Sequence, residues 1–315
     1  MKKLLHTGDF HFKVPEKDEN FYIERILMLY VYFKKEQPDI IALTGDVFDK
    51  TPTVLEVTLF ILFLKTFEHI PLLIVPGNHD VGTKKDKAIR HRYLDVIINY
   101  LKPANVIYTN SILETDKFLL VSNEYVRAKK EIPALYDKIL LSHIRCDLTF
   151  SGVQRKGEYD FSELEKFKLV LLSDVHTINQ YSERIWYSTS PYRTHIKTIN
   201  SVSEMDNSFF GFNIVDLDTL EVTHKELHLP NVYKFVTDKR VKLPDTPNLI
   251  HTVYEVDADS VGEFMGEDIK IKRTKQQIDT SENLLGIIRK ILVADYNVNN
   301  PDEYLKVLVE LVGEL

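Results

Sequence analysis

The sequence predicts an α/β layered fold followed by a smaller α+β domain and terminal helices, and three observations carry that reading. Short β-type apolar runs recur, each closing on polar residues: "KLLHTGD", "DIIALTGD", "PLLIVPGNHD", "KILLSH" and "KLVLLSD". Helix-compatible stretches of crossover length, "NFYIERILMLYVYFKKE" and "TPTVLEVTLFILFLKTFEH", separate the early runs. Polar residues at the carboxyl ends of strands are where layered sheets of this kind place their sites.

Taken in order, the strand and helix signals continue to "FFGFNIVDLDTLEVTHKELHLP", where apolar and polar residues alternate on both sides of the turn signal "DLDT", which predicts a β-hairpin. The hairpin is taken to close the main domain, residues 1–229. Residues 230–279 form the expected cap domain, with strands in "YKFVTDKRVKL", "NLIHTVYEV" and "IKIKRT". Residues 280–315 are expected to form two amphipathic helices, "SENLLGIIRKILVADY" and "PDEYLKVLVELVGEL". The last begins at Pro301 with acidic residues behind it, as first turns often do. Its apolar set, Leu305, Leu308, Val309 and Val312, shares one face that either packs on the cap or docks a partner.

Composition narrows the class. With 315 residues, 44% hydrophobic and 28% charged, the chain has the profile of an ordered globular protein of more than one domain. The single cysteine, Cys146, excludes an internal disulfide, and a cytoplasmic setting is expected. "MKKLL" opens like a signal peptide but runs into the polar "HTGDFHF". "VLEVTLFILFLKTFEHIPLLIV" is broken by Glu56, Lys65, Glu68 and Pro71, short of the roughly 18 apolar residues of a membrane span, so no membrane association is expected. A net charge of −7 disfavours strong unaided binding to nucleic acid, although carboxylates gathered around cations would not repel a substrate that meets the cations first.

The strand ends carry the chemistry: Asp9-x-His11, then Gly45-Asp46-x-x-Asp49, Gly77-Asn78-His79-Asp80, His143, and Asp174-x-His176. Any one of these is explained by the turn preference of Asp, Asn and Gly. Together they supply hard oxygen and imidazole groups of the kind that hold Mn²⁺, Fe or Zn. A two-metal site needs one carboxylate shared between the ions, and Asp46 suits that role.

In these motifs and their order, the first 230 or so residues resemble the calcineurin-like metallophosphoesterases. The resemblance implies an α/β/β/α sandwich binding two divalent ions. Carried over, it makes Asp9, His11, Asp46 and His176 ligands of the first ion, and Asp46, Asn78 and His143 ligands of the second. His79 takes the place of the histidine that acts on the leaving group, Asp80 that of its orienting carboxylate, and Asp49 that of a supporting group behind a ligand. The chain departs from the family's closing Gly-His-x-His with Ser173-Asp174-Val175-His176. Asp174 stands where a second-metal histidine is expected; an anionic oxygen there favours Mn²⁺ or Mg²⁺, and Mn²⁺ is the expected metal.

Lys50, not arginine, follows "GDVFD", and Asp80, not glutamate, follows "GNH". Both differ from the family's protein phosphatases and favour a phosphodiester over a monoester. "YSTSPYR" and the cap-sized extension look like the nuclease subunit of SbcCD-type complexes and its bacteriophage counterparts, and the short chain favours a phage version, active in a bacterial host's cytoplasm. That likeness implies an exonuclease on double-stranded DNA ends and an endonuclease on single strands or hairpins, acting in DNA repair or recombination. It further implies an SbcC-like ATPase partner, reached through the C-terminal helices, and leaves a homodimer open. Lys84, Lys85, Lys87, Arg90 and Arg92, directly after GNHD, are candidate DNA-backbone contacts or an exposed helix face. Competing readings are a small-molecule or nucleotide phosphodiesterase and a non-catalytic scaffold subunit. His6 and His224 have no motif context and are read as core or surface residues.

Overall fold

In a computed structural model, residues 2–254 are described except for 16–17, 81–92, 129, 147, 151–152, 156, 158, 177–179, 200, 206–209 and 238–245. The basic stretch from Lys84 to Arg92, the expected strand "IKIKRT" and both terminal helices lie outside the described residues.

The strands and helices run β1 (Lys3–Thr7), α1 (Glu19–Lys35), β2 (Ile40–Thr44), α2 (Val54–Thr66), β3 (Leu72–Val75), α3 (Tyr93–Leu101), β4 (Val106–Tyr108), β5 (Ile112–Glu114), β6 (Phe118–Val121), α4 (Asn123–Arg127), β7 (Ile139–His143), β8 (Leu148–Phe150), β9 (Val153–Arg155), α5 (Phe161–Leu164), β10 (Leu169–Ser173), β11 (Ile185–Tyr187), β12 (Lys197–Ile199), β13 (Gly211–Asp216), β14 (Val222–Glu226), β15 (Val232–Thr237) and β16 (Leu249–Tyr254). One sheet has the order β14-β13-β1-β2-β3-β4 and a second β11-β10-β7-β6-β5, while β8 and β9 pair alone. Pairing is parallel from β1 through β4 and from β6 through β11, so the carboxyl ends of β1, β2 and β3 share one edge, as do those of β7 and β10. The expected hairpin is β13 with β14, antiparallel to each other, and β13 also pairs antiparallel with β1.

The two sheets pack face to face, β2 against β7 and β10, β3 against β6 and β7. Because strand side chains alternate, one set from each strand fills the space between: Leu4, Ala42, Leu73, Leu120, Leu141, Leu171 and Val215 form one buried cluster. The opposite face of the second sheet buries Leu140, Val170 and Leu172 against Val126 of α4 and Leu164 of α5. The opposite face of the first meets α1, where Phe33 packs edge-on to Phe212 of β13 at 5.1 Å. Helix, sheet, sheet, helix is the layering that the family resemblance implied. The three- and four-residue strands β4, β5 and β6 went unread in the sequence; runs that short lack enough alternation to stand out.

Helix α2 starts on a capping box: Glu56 donates its backbone N–H to Thr53 Oγ1 at 3.3 Å, and Glu56 Oε2 accepts from Thr53 N at 2.8 Å. Glu56 Oε1 also accepts from Val14 N at 2.8 Å, so the buried charge that interrupts an apolar helix tethers the loop after β1.

Contacts among the described residues divide the chain into two units, residues 2–191 with 210–227, and residues 192–205 with 228–254. The second contains a parallel sheet of order β12-β15-β16 around Ile199, Tyr233, Phe235 and Ile250. Strand β12 belongs to it because it hydrogen-bonds with β15, so this unit draws on chain from both before and after the hairpin. No helix among the described residues is long and apolar enough to cross a membrane.

Candidate metal centre

The loops after β1 and β2 stay zipped together beyond the strands. Asp9 N donates to Gly45 O at 3.0 Å, His11 N to Asp46 O at 2.9 Å and Phe12 N to Val47 O at 2.8 Å. Within "DFHF" the alternation continues: Phe10 and Phe12 are fully buried, and Phe10 lies against Phe33 and Phe63. The aromatic residues anchor the loop in the helical layer, leaving Asp9 and His11 to face the second sheet.

Asp9, His11, Asp46 and Asp174 all have left-handed backbone, φ 53°, 44°, 50° and 94°. Such conformations cost about 1–3 kcal/mol each in a non-glycine residue and persist where the surroundings enforce them. Gly45, φ 89°, is required both by its conformation and by space, since a Cβ there would lie 2.5 Å from His143 Nδ1. A Cβ on Gly77 would lie 2.1 Å from Asp46 Oδ1. The glycines of GD and GN thus let two loops close on a buried carboxylate.

Asp46 Oδ2 stands between two imidazoles, 3.5 Å from His11 Nε2 and 3.2 Å from His143 Nε2, while Asp46 Oδ1 accepts from His79 N at 2.8 Å. On the β1 side, Asp9 Oδ1 lies 3.5 Å from His176 Nε2 and 3.9 Å from His11 Nε2. On the β7 side, His143 Nε2 lies 3.2 Å from Asn78 Oδ1 and 3.7 Å from Asp174 Oδ1. His143 Nδ1–H donates to Thr44 O at 2.8 Å, which orients the ring and turns Nε2 into the cluster. Asp9 Oδ2 accepts from Asp174 N at 3.0 Å, joining the first motif to the last.

The donor set fits metal ions. Asp9 Oδ1 and His11 Nε2 are buried with no hydrogen-bond partner, which is costly for polar atoms unless something else ligates them. Asp9, His11 and His176 present one ligand atom each within 4.8 Å of one another, as do Asp9, Asp46 and His143. The local field also calls for cations. Burial opposes a charged His143, yet Asp46, Asp9 and Asp174 raise its pKa well above the ordinary histidine value. Burial likewise would raise the Asp46 carboxyl, but the His143 and His11 rings hold it well below the usual carboxylate range.

Asp49 Oδ1 faces His11 Nδ1 at 3.5 Å, and Lys13 Nζ lies 3.5 Å from Asp49 Oδ2. The His11 ring, and against a desolvation cost the Lys13 ammonium, hold this carboxyl down to about 2. The arrangement around His79 differs from the carboxylate contact expected of Asp80. The His79 ring donates through Nδ1 to the backbone carbonyl of Asp49 at 2.7 Å. Asp80 instead accepts from Phe48 N at 3.1 Å and Gly77 N at 2.9 Å, clamping the GD and GNH loops together. Burial, then the Asp46 charge, pushes the Asp80 carboxyl up to about 6 against those two N–H bonds.

Ser173, in place of the family's glycine, turns inward. Its hydroxyl lies 2.5 Å from Thr44 Oγ1 and 3.2 Å from Ser188 Oγ. Thr44 Oγ1 also meets His6 Nε2 at 3.0 Å, and His6 Nδ1 accepts from Asn213 Nδ2 at 3.3 Å. The apolar layer between the sheets therefore ends in a buried polar layer directly beneath the cluster. Sequence reasoning missed it; the available signal was His6 on the same strand face as Leu4.

A family model described as "Calcineurin-like phosphoesterase" matches residues 2–188. The chain belongs to that family. As a calcineurin-like phosphoesterase it is a metal-dependent hydrolytic enzyme. It is also 32% identical over 116 residues to the DNA double-strand break repair protein Mre11 of Saccharolobus solfataricus, covering 33% of this chain and 30% of that relative's length. Among solved structures, TT1561 of Thermus thermophilus aligns with 71% of this chain and 98% of its own at 16% identity and a TM-score of 0.44. A structure titled as a novel archaeal phosphodiesterase aligns with 71% of this chain and 99% of its own at 13% identity and a TM-score of 0.36.

Proposed function

We propose that this calcineurin-like phosphoesterase is a Mn²⁺-dependent DNA nuclease, an exonuclease on double-stranded ends and an endonuclease on single strands or hairpins, working as the nuclease subunit of an SbcCD-like repair complex. The observation that carries the two-metal part is Asp46 Oδ2 standing between His11 Nε2 and His143 Nε2. In this reading Asp9, His11, Asp46 and His176 hold one ion, and Asp46, Asn78, His143 and Asp174 the other. When bound, the ions supply Lewis acidity at the phosphoryl oxygens and at the attacking water. The chain's own groups do the rest: Thr44 O orients His143, Asp49 supports His11, and Asp9 and Asp174 are linked through a backbone N–H. With Nδ1–H fixed on the Asp49 carbonyl, His79 keeps Nε2 to hold or pass a proton at the leaving oxygen. The likeness to a relative described as a double-strand break repair protein supports DNA as the substrate. Under this reading the 230–279 cap and the 280–315 helices serve substrate and ATPase docking.

The test incubates the purified chain with Mn²⁺ and end-labelled DNA, with and without an SbcC-like ATPase, alongside bis(p-nitrophenyl) phosphate. DNA cleavage abolished by chelation, and slowed about 10²- to 10⁴-fold by His79→Ala, is expected. Turnover of the small diester with intact DNA in every condition points to a small-molecule enzyme instead, and no turnover at all to a scaffold.

A further inference from the structure

The contacts of the site form a chain that begins and ends on a permanent cation. Lys13 Nζ is 3.5 Å from Asp49 Oδ2, and Asp49 Oδ1 is 3.5 Å from His11 Nδ1. His11 and His143 share Asp46, and His143 Nε2 is 3.7 Å from Asp174 Oδ1. The chain of contacts ends where Arg145 Nε lies 3.9 Å from Asp174 Oδ2. Its middle is sealed, with the His143 and Asp46 side chains 0% and 2% exposed, while the terminal Lys13 and Arg145 side chains are 47% and 43% exposed. A permanent cation thus caps each end of the ligand cluster.

Neither cation is consumed by its carboxylate. An ammonium has three donors and a guanidinium five, and each ion pair engages one nitrogen of its cation. Arg145 Nε is buried without a hydrogen-bond partner, and 3.9 Å is too long for one to Asp174. The pairs restrain where the cations sit without saturating them. A single small diester places one phosphate over the middle of these contacts and nothing at their ends. A nucleic-acid strand brings further phosphates on either side of the one under attack, and Lys and Arg are the side chains that take such phosphates.

We propose that Lys13 and Arg145 are specificity-determining cations that bind the phosphates flanking the scissile one, making the site selective for a polynucleotide strand. The inference rests on the nuclease reading. The test measures binding of a fluorescein-labelled single strand by anisotropy as salt is raised, using the Mn²⁺-loaded full chain in a His79→Ala background that slows cleavage. Lys13→Gln and Arg145→Gln should each reduce the slope of log affinity against log salt by about 0.7, the share of one phosphate contact on a single strand. Lys13→Arg and Arg145→Lys should retain the slope, which a purely structural role for either residue would not track. Strand binding with the slope unchanged in both glutamine variants overturns this inference alone. A parent chain that binds no strand, with or without the ATPase, overturns the nuclease reading and this inference with it.

Discussion

The strands that build the site have opposite characters at their two ends. Toward the amino ends, Leu4, Ile40, Leu73, Ile139 and Leu169 fill an apolar space between the sheets. Toward the carboxyl ends the same inward faces carry His6, Thr44 and Ser173, and one to three residues later come the first metal-ligand candidates in left-handed backbone, Asp9, Asp46 and Asp174. Stability and chemistry are thereby separated along the strand direction, with a buried hydrogen-bonded layer between them. That layer allows strained, orphaned polar groups to stand a few residues from a hydrocarbon core.

The separation can be broken from the functional side first. Asp46→Asn should cut phosphoester hydrolysis by at least about 100-fold, since even groups that only support a ligand are typically worth 10- to 100-fold. Metal content, read by atomic absorption on the purified variant, should fall below that of the parent. Retention of full metal content and activity would remove Asp46 as the shared ligand. The converse substitution lies at the apolar end: Leu171→Ala, fully buried, should cost about 2–5 kcal/mol by urea unfolding while leaving metal content per folded chain unchanged. Loss of metal with stability would mean that the two ends are not independent.

The layer between them makes a pH prediction. Burial depresses the His6 pKa from 6.5 to about 3, opposed by the Asp9 charge. The unfolded chain protonates this histidine near 6.5 and the folded chain does not until about 3, so its contribution is complete above 6.5 and is lost as pH falls through that window. Metal-free protein should lose about 1.4 kcal/mol per pH unit on this account, roughly 2 kcal/mol between pH 6.5 and 5. Urea unfolding of the chain and of His6→Gln across that range should give curves whose slopes differ by this amount; parallel curves would place a charged His6 in the folded layer.

The two ends were unequally legible in the sequence. The motif residues announced themselves because Asp, Asn, Gly and His were placed where apolar runs stop, and the structure gathers those runs at two parallel sheet edges. The crossover helices α1 and α2 and the hairpin were equally readable from periodicity. What could not be read depended on partners distant in sequence. Ser173 looked like the loss of a turn glycine, yet it fills a gap beside Gly8, whose own Cβ would lie 2.1 Å from Ser173 Oγ. Asp80 was adjacent to His79 in the motif, but its oxygens are taken by N–H groups of Phe48 and Gly77. Lys13 and Arg145 belong to no motif, and only their contacts with Asp49 and Asp174 place them beside the ligand cluster.

The smallest effect tests whether the helical layer reaches the site through one atom. The Glu56 carboxylate closes the α2 cap through Oε2 and holds Val14 N through Oε1, so cap and site loop share a side chain but not an oxygen. Thr53→Ala removes the Thr53 hydroxyl that accepts from Glu56 N, leaving the backbone N–H of residue 53 for Oε2 and the Val14 bond intact. It should cost about 1 kcal/mol in urea unfolding, the usual worth of an N-cap, with Mn²⁺ affinity by calorimetry unchanged. Glu56→Ala removes both bonds, leaving Val14 N buried without its acceptor, and should weaken Mn²⁺ binding as well because Val14 lies three residues beyond His11. Equal metal affinity in the two variants would show that the loop after β1 is held by its zipper to the β2 loop and its buried phenylalanines alone.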